Sequence, residues 1–173
     1  MDAREEFDRR LSRVRQSMRD KGLQTLLVYE GGRHNFLRMN YVAYLTDFIS
    51  VGPETMLMVP LEDAPVLYLS PLWDIPRAQE ESFVREVRPF KEFWSRLPGV
   101  SGNVGLIGRE AMSVGPHEQI TKALGRTAAN AKDIIENMAR SKTPLELERL
   151  RRAAEIADAG VKALHDDARP GLK

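Results

Sequence analysis

Thr25-Leu26-Leu27-Val28-Tyr29 is apolar on both faces, and its reading decides the fold class. A strand in a half-solvated sheet alternates apolar with polar residues. A strand with no polar face is covered from both sides, as in the centre of an α/β sheet. Just before it, Phe7, Leu11, Val14 and Met18 follow a 4-3-4 spacing within residues 3–21, one face of a helix. Asp2 caps that helix and Glu5 completes a capping-box pair. Glu5–Arg9 and Glu6–Arg10 are i,i+4 pairs expected on its wet side, and Gly22 is a natural stop.

Beyond the strand, residues 31–50 are less regular and rich in aromatics: Phe36, Tyr41, Tyr44 and Phe48. Taken alone, these rings read as core. Residues 55–61 and 65–70 are two strands, and the short polar link Glu62-Asp63-Ala64 predicts an antiparallel hairpin. A helix is expected over 71–82, with Ser70 as cap, Pro71 in the first turn and Trp73 as packing. Strand character over 83–90 is followed by a short helix over 91–97 and a buried strand, Val104–Ile107. Pro116 opens a helix that runs to Leu124, and 127–134 reads as a last strand or extended segment. The order predicts an α/β fold: a mixed β-sheet with helices on both faces.

From Thr143 the texture changes. Thr143-Pro144-Leu145-Glu146 combines a Thr cap, a proline in the first position and a glutamate in the third. The helix it starts is expected to run to about Ala168, before Arg169-Pro170-Gly171. Leu147, Leu150, Ala154, Ala157, Val161, Leu164 and Ala168 form a seam along it, three and four residues apart. Such a seam needs a partner, found by pairing with a second copy or by folding back on the α/β domain.

The composition excludes several function classes. The chain has 173 residues, 26 Lys and Arg against 25 Asp and Glu, and a net charge of +1. That balance gives no long-range pull on nucleic acid. There is no cysteine, which excludes disulfides, thiolate metal sites and a Cys nucleophile. No apolar stretch approaches the roughly 20 residues a membrane helix needs, and the polar start is unlike a signal peptide, so a cytoplasmic location is expected. Gly99, Gly102, Gly105 and Gly108 lead into a strand rather than a helix, which fits a turn with close packing better than a phosphate loop. Gly31-Gly32 likewise reads as a turn. His34, His117 and His165 have no metal-ligand spacing, and no Gly-x-Ser-x-Gly elbow occurs. No catalytic residue, metal ligand or cofactor site is therefore assigned within the chain.

Three stretches together resemble the creatinase/prolidase family of pita-bread metallohydrolases. They are the opening helix with Gly22-Leu23 and the strand; Asn40-Tyr41-Val42-Ala43-Tyr44-Leu45-Thr46-Asp47-Phe48; and Arg140-Ser141-Lys142-Thr143-Pro144-Leu145-Glu146 with Leu150-Arg151-Arg152-Ala153, ending in Arg169-Pro170-Gly171. The middle stretch is similar to the family's Asn-x-x-Tyr-Leu-Thr-Gly-Phe signature, with Asp47 where glycine is usual. The resemblance implies a ribonuclease-H-like N-terminal domain over 1–139. Residues 140–173 would then be the junction and first helix of a catalytic domain.

In such proteins the catalytic half binds two divalent ions (Mn, Co or Zn) in the proline peptidases, through two Asp, a His and two Glu. Creatinases cleave a C–N bond without metal. Those residues are expected beyond Lys173, so none is carried over here. The N-terminal domain supports dimerisation and covers the active-site mouth. This makes Tyr44, Thr46 and Phe48 candidate substrate-side contacts, and the catalytic domain and a second copy the expected partners. The alternative is a stand-alone protein-binding module derived from the peptidase fold, without an active catalytic half.

Overall fold

A computed structural model of the chain describes residues 2–32 and 39–169. Phe36 and His34 lie outside the described residues, as does the Pro170-Gly171 stop. Helix α1 spans Ala3–Asp20 and carries the expected capping box between Asp2 and Glu5. Strand β1 (Thr25–Glu30) is buried along its whole length. Helix α2 (Tyr41–Thr46) follows, then the hairpin of β2 (Glu54–Pro60) and β3 (Val66–Ser70).

Helix α3 (Ile75–Glu81), β4 (Glu86–Pro89) and α4 (Phe90–Arg96) come next. Then follow β5 (Val104–Ile107), α5 (Val114–Leu124), β6 (Ala129–Asn130), α6 (Asp133–Arg140) and α7 (Pro144–Asp167).

The strands form one sheet in the order β4-β3-β2-β1-β5-β6. β1 is central, antiparallel to β2 and parallel to β5, with Leu27 facing Met58 on one side and Leu106 on the other. Both faces of β1 are covered. Leu26 and Val28 pack with Phe7, Val14 and Met18 of α1 and with Ile134 and Met138 of α6. Leu27 and Tyr29 pack with Phe90 and Phe93 of α4 and with Ile120 and Leu124 of α5. The apolar run of β1 is the sequence trace of this two-sided cover.

Several expectations about the elements change. Residues 71–82 are not one helix: a 3-10 turn over Leu72–Asp74 precedes α3, and neither Ser70 nor Pro71 supplies a side-chain cap. Ser70 is the last residue of β3, and Pro76 is the proline in the first turn of α3. Trp73 is not packing; on the 3-10 turn past β3 it stays 68% exposed. The last strand shrinks to two residues, and 133–140 is helical. Ile134, Ile135 and Met138 fall on one helical face and are buried there, so the 3.6-residue period prevails in a stretch too short to declare it. Finally, α5 starts at Val114, two residues before Pro116.

The glycine runs serve geometry. Gly108 has φ 84°, and a Cβ there would lie 2.1 Å from the Tyr29 carbonyl oxygen. Gly32 has φ 61°, with the Gly52 carbonyl oxygen 1.9 Å from where its Cβ would be. Backbone approaches this close admit no side chain.

Candidate functional site

The family-like segment 40–48 is a single short helix tied at both ends. The Asn40 side chain accepts the Ala43 N–H at 2.8 Å, capping α2. At the other end the Thr46 hydroxyl donates to the Val42 carbonyl at 2.9 Å and accepts the Phe48 N–H at 3.2 Å. Between them Asp47 takes the left-handed conformation, φ 57° and ψ 18°, and donates its N–H to the Ala43 carbonyl. The asparagine, threonine and usual glycine of the signature thus each have a local structural reason.

The three substrate-side candidates part company here. Thr46 is fully buried, its hydroxyl engaged in closing the turn. Phe48 is 1% exposed, packed into the core with the Arg77 guanidinium 4.4 Å above its ring. Tyr44 alone reaches a surface. It is half-buried beneath Arg10, whose guanidinium carbon lies 4.0 Å from the ring centroid. Burial raises the Tyr44 phenol above its ordinary pKa, against the opposing pull of Arg10.

Tyr44 borders a shallow recess where α1, α2 and the root of α7 meet, together with Phe7, Leu45, Phe83 and Leu145. Arg10 is its hub. It donates to Glu6 Oε1 at 2.9 Å and to the Tyr44 carbonyl at 2.6 Å, and it pairs with Glu146 Oε1 at 3.0 Å. Glu6, expected on the wet side of α1, is buried; it takes both Arg9 and Arg10. The two guanidinium groups satisfy it, which is how a carboxylate remains inside. Glu146 also accepts the Thr143 N–H at 2.8 Å, so the α7 cap and the recess share one side chain. At the recess edge Arg149 forms a bidentate pair with Asp47, at 2.7 and 3.0 Å.

A further network lies at the end of the sheet. The buried Asp74 carboxylate accepts from Ser50 Oγ (2.9 Å), the Val51 N–H (3.2 Å) and Arg77 Nε (2.9 Å). Burial pushes its pKa up, but the hydrogen bonds from Arg77, Ser50 and Val51 outweigh burial and hold it below the usual carboxylate range. This latch holds the segment after Phe48, leaving Ile49 and Val51 exposed at the same end of the sheet as Leu72 and Trp73. Sequence reasoning misses Asp74 and Arg77. Their i,i+3 spacing is the one local signal, and it is too common to single out. A third contact ties α2 to α6: Tyr41 Oη lies 3.0 Å from Glu136 and 3.3 Å from Glu110, and burial and these carboxylates raise its pKa.

Among the described residues no three His, Cys, Asp or Glu side chains come together to hold a metal ion. The carboxylates of the recess, Glu6, Glu146 and Asp47, are each paired with arginine. His165 sits in the last turn of α7 beside Asp166, and His117 lies within α5. No described helix is long and apolar enough to cross a membrane.

A profile of the Creatinase/Prolidase N-terminal domain matches residues 10–140. With the six-stranded mixed sheet and its helices, this places the chain in the creatinase/prolidase N-terminal domain family. No curated protein matches the sequence. Among solved structures it is similar to the prolidase of Pyrococcus horikoshii OT3 (TM-score 0.74, 22% identity), covering 95% of this chain and 44% of that one. It is similar also to the X-Pro aminopeptidase of Thermotoga maritima MSB8 (TM-score 0.75, 20% identity), covering 94% and 44%. A proline dipeptidase structure from Streptococcus pneumoniae TIGR4 (TM-score 0.62, 16% identity) is covered over 98% of its length by 76% of this chain. The chain thus spans less than half the length of the first two. At these identities the likeness is one of fold.

Proposed function

We propose that this chain is the non-catalytic N-terminal part of a creatinase or Xaa-Pro peptidase-like hydrolase, supporting oligomerisation and covering the active-site mouth. The parent cleaves a C–N bond in a proline peptide or a small amide or guanidino substrate. The observation that carries this reading is the shared fold: it extends over nearly all of this chain and under half of two proline peptidases. The division at 139/140 is supported by the family match, which ends at residue 140. It is supported too by a dipeptidase structure that pairs with about three quarters of the chain. Helix α7 is then the first element of the catalytic half, and Tyr44, at the recess beside its root, is the substrate-side candidate with surface to offer.

The test is an assay of the purified 173-residue chain and of the full gene product on Xaa-Pro dipeptides and creatine, with and without Mn²⁺ or Co²⁺. Turnover by the full product alone is expected. Turnover that purifies with the 173-residue chain overturns the proposal. In the full product, Tyr44→Ala is expected to lower kcat/KM about tenfold, equal to roughly 1.4 kcal/mol, with the melting temperature little changed. Phe48→Ala, a buried aromatic, is expected to destabilise by about 3–5 kcal/mol. If the Phe48→Ala protein that remains folded keeps its kcat/KM, that residue acts through the core alone.

A further inference from the structure

Asp47 stands where the family's signature has glycine, and the backbone shows what glycine is for. Asp47 is the one non-glycine residue with positive φ among the described residues. Aspartate tolerates the left-handed region better than most side chains, but glycine adopts it without steric cost. A residue placed there against that preference needs a compensating contact. Asp47 has one: both carboxylate oxygens meet the two terminal nitrogens of Arg149, 102 residues away on α7. That fork-to-fork geometry constrains direction as well as distance.

Arg149 lies three residues after Glu146, on the same side of the helix, and Glu146 is held by Arg10. Past Arg149 every described residue of α7 is exposed. Two ion pairs on one turn, with Leu145 at the recess, therefore hold a helix that runs on from Arg149 to Asp167. At 1.5 Å per residue that overhang is roughly 27 Å, and a 20° change at the root moves the tip by roughly 9 Å. The pairs differ in burial. Arg10 and Glu146 are 13% and 17% exposed, Arg149 and Asp47 51% and 38%. Salt screens the outer pair far more than the inner one.

The geometry points to Asp47–Arg149 as a positioning pair: Arg10–Glu146 is the pivot of α7, and Asp47–Arg149 is the stay that sets its angle to the α/β domain. The stay aims whatever α7 carries. It does not rest on the proposed chemistry of the parent, since a helix is aimed equally whether a peptidase or a binding module follows.

The chain has no cysteine, so in the Leu150→Glu, Val161→Glu background, which keeps α7 unpaired, Ser95→Cys on α4 and Asp158→Cys on α7 give a clean pair for nitroxide labels. Double electron–electron resonance then reads the angle as a distance distribution. A narrow distribution is expected for the otherwise unchanged chain at about 0.1 M NaCl. Its width is expected to at least double in Asp47→Gly, in Arg149→Ala and in about 1 M NaCl, with Arg149→Lys intermediate. Asp47→Gly is expected to leave the melting temperature unchanged or raised, because it also relieves the left-handed residue. A purely stabilising role would lower it. Unchanged widths in both Asp47→Gly and Arg149→Ala overturn the inference. A loss of helical circular dichroism in place of a broadened distribution also overturns it, because the pair would then hold the helix together rather than aim it.

Discussion

Helices α1 and α7 are built from the same local instructions and meet opposite fates. Each opens with a capping box, Asp2 with Glu5 and Thr143 with Glu146. Each carries an apolar stripe at helical spacing. On α1 the stripe is covered: Val14 and Met18 are fully buried against β1 and its neighbours. On α7 no described residue is buried, and Leu164 is 69% exposed. Folding back onto the α/β domain, one of two covers expected for the seam, is not what the chain does. The difference teaches that periodicity reports a face and its width. What covers the face is a property of the surroundings.

The largest effect that tests the contrast is a truncation in each stripe. Met18→Ala is expected to cost about 2–5 kcal/mol in urea unfolding, through lost burial and the cavity left behind. Val161→Ala, measured on the monomer at concentrations too low for pairing, is expected to stay within about 0.5 kcal/mol. A comparable cost at Val161 in the monomer would mean that α7 is covered by its own α/β domain.

The bare stripe is next. Each exposed leucine or valine forgoes about 1.5–3 kcal/mol of burial, so two copies of α7 are expected to pair. Sedimentation at micromolar concentration should show a dimer, and Leu150→Glu combined with Val161→Glu should return it to a monomer. A monomer in both forms rules the pairing out.

Charge sharpens the same contrast, because the α/β domain carries buried carboxylates and α7 none. The Asp74 carboxyl is held below the usual range in the folded chain. Its contribution is therefore present above the unfolded value, about 3.9, and is lost as pH falls through the lower folded value. Asp74→Asn is expected to cost about 1.5–3 kcal/mol at about pH 7, the worth of hydrogen bonds to a charged group. The gap from the unsubstituted chain should close in melts below about pH 4. A gap that persists unchanged into that range would show that Asp74 acts by shape rather than charge.

The caps give the smallest effects. Asp2→Ala and Thr143→Ala should each cost about 1 kcal/mol locally. Asp2→Ala should lower the melting temperature of the whole domain. Thr143→Ala should reduce helical dichroism with little shift of the main transition. Equal shifts in that transition would join α7 to the cooperative unit.

Much of the fold is legible because its signals are local. The two-faced apolar run of β1, the 4-3-4 face of α1, the hairpin link at 62–64 and the start at Thr143 each follow from a few adjacent residues. Where two periods compete in a short stretch, local signals fail: Ile134-Ile135 serves a strand or a helix equally well until Met138 is seen to share the helical face. Trp73 is illegible for another reason. A large ring is most often packed, and nothing in the neighbouring residues shows that a 3-10 turn carries it past the end of β3.

In the candidate site, segment 40–48 stands out by its resemblance. Which of its side chains point inward depends on α1, α3 and α7, whose contributions come from residues 10, 77 and 149.

By itself the sequence determined the fold class, the element types with strong periods, the capping boxes of α1 and α7 and the family. These rest on short-range sterics and on the partition of apolar surface, which adjacent residues express. Only the tertiary structure decided that Thr46 and Phe48 are enclosed while Tyr44 is not, that Glu6 is buried between two arginines, and that Asp47 clasps Arg149. Each of these depends on groups brought together by the fold. A charge or a ring carries no mark of its distant partner until the sheet and its helices bring the two within a few ångströms.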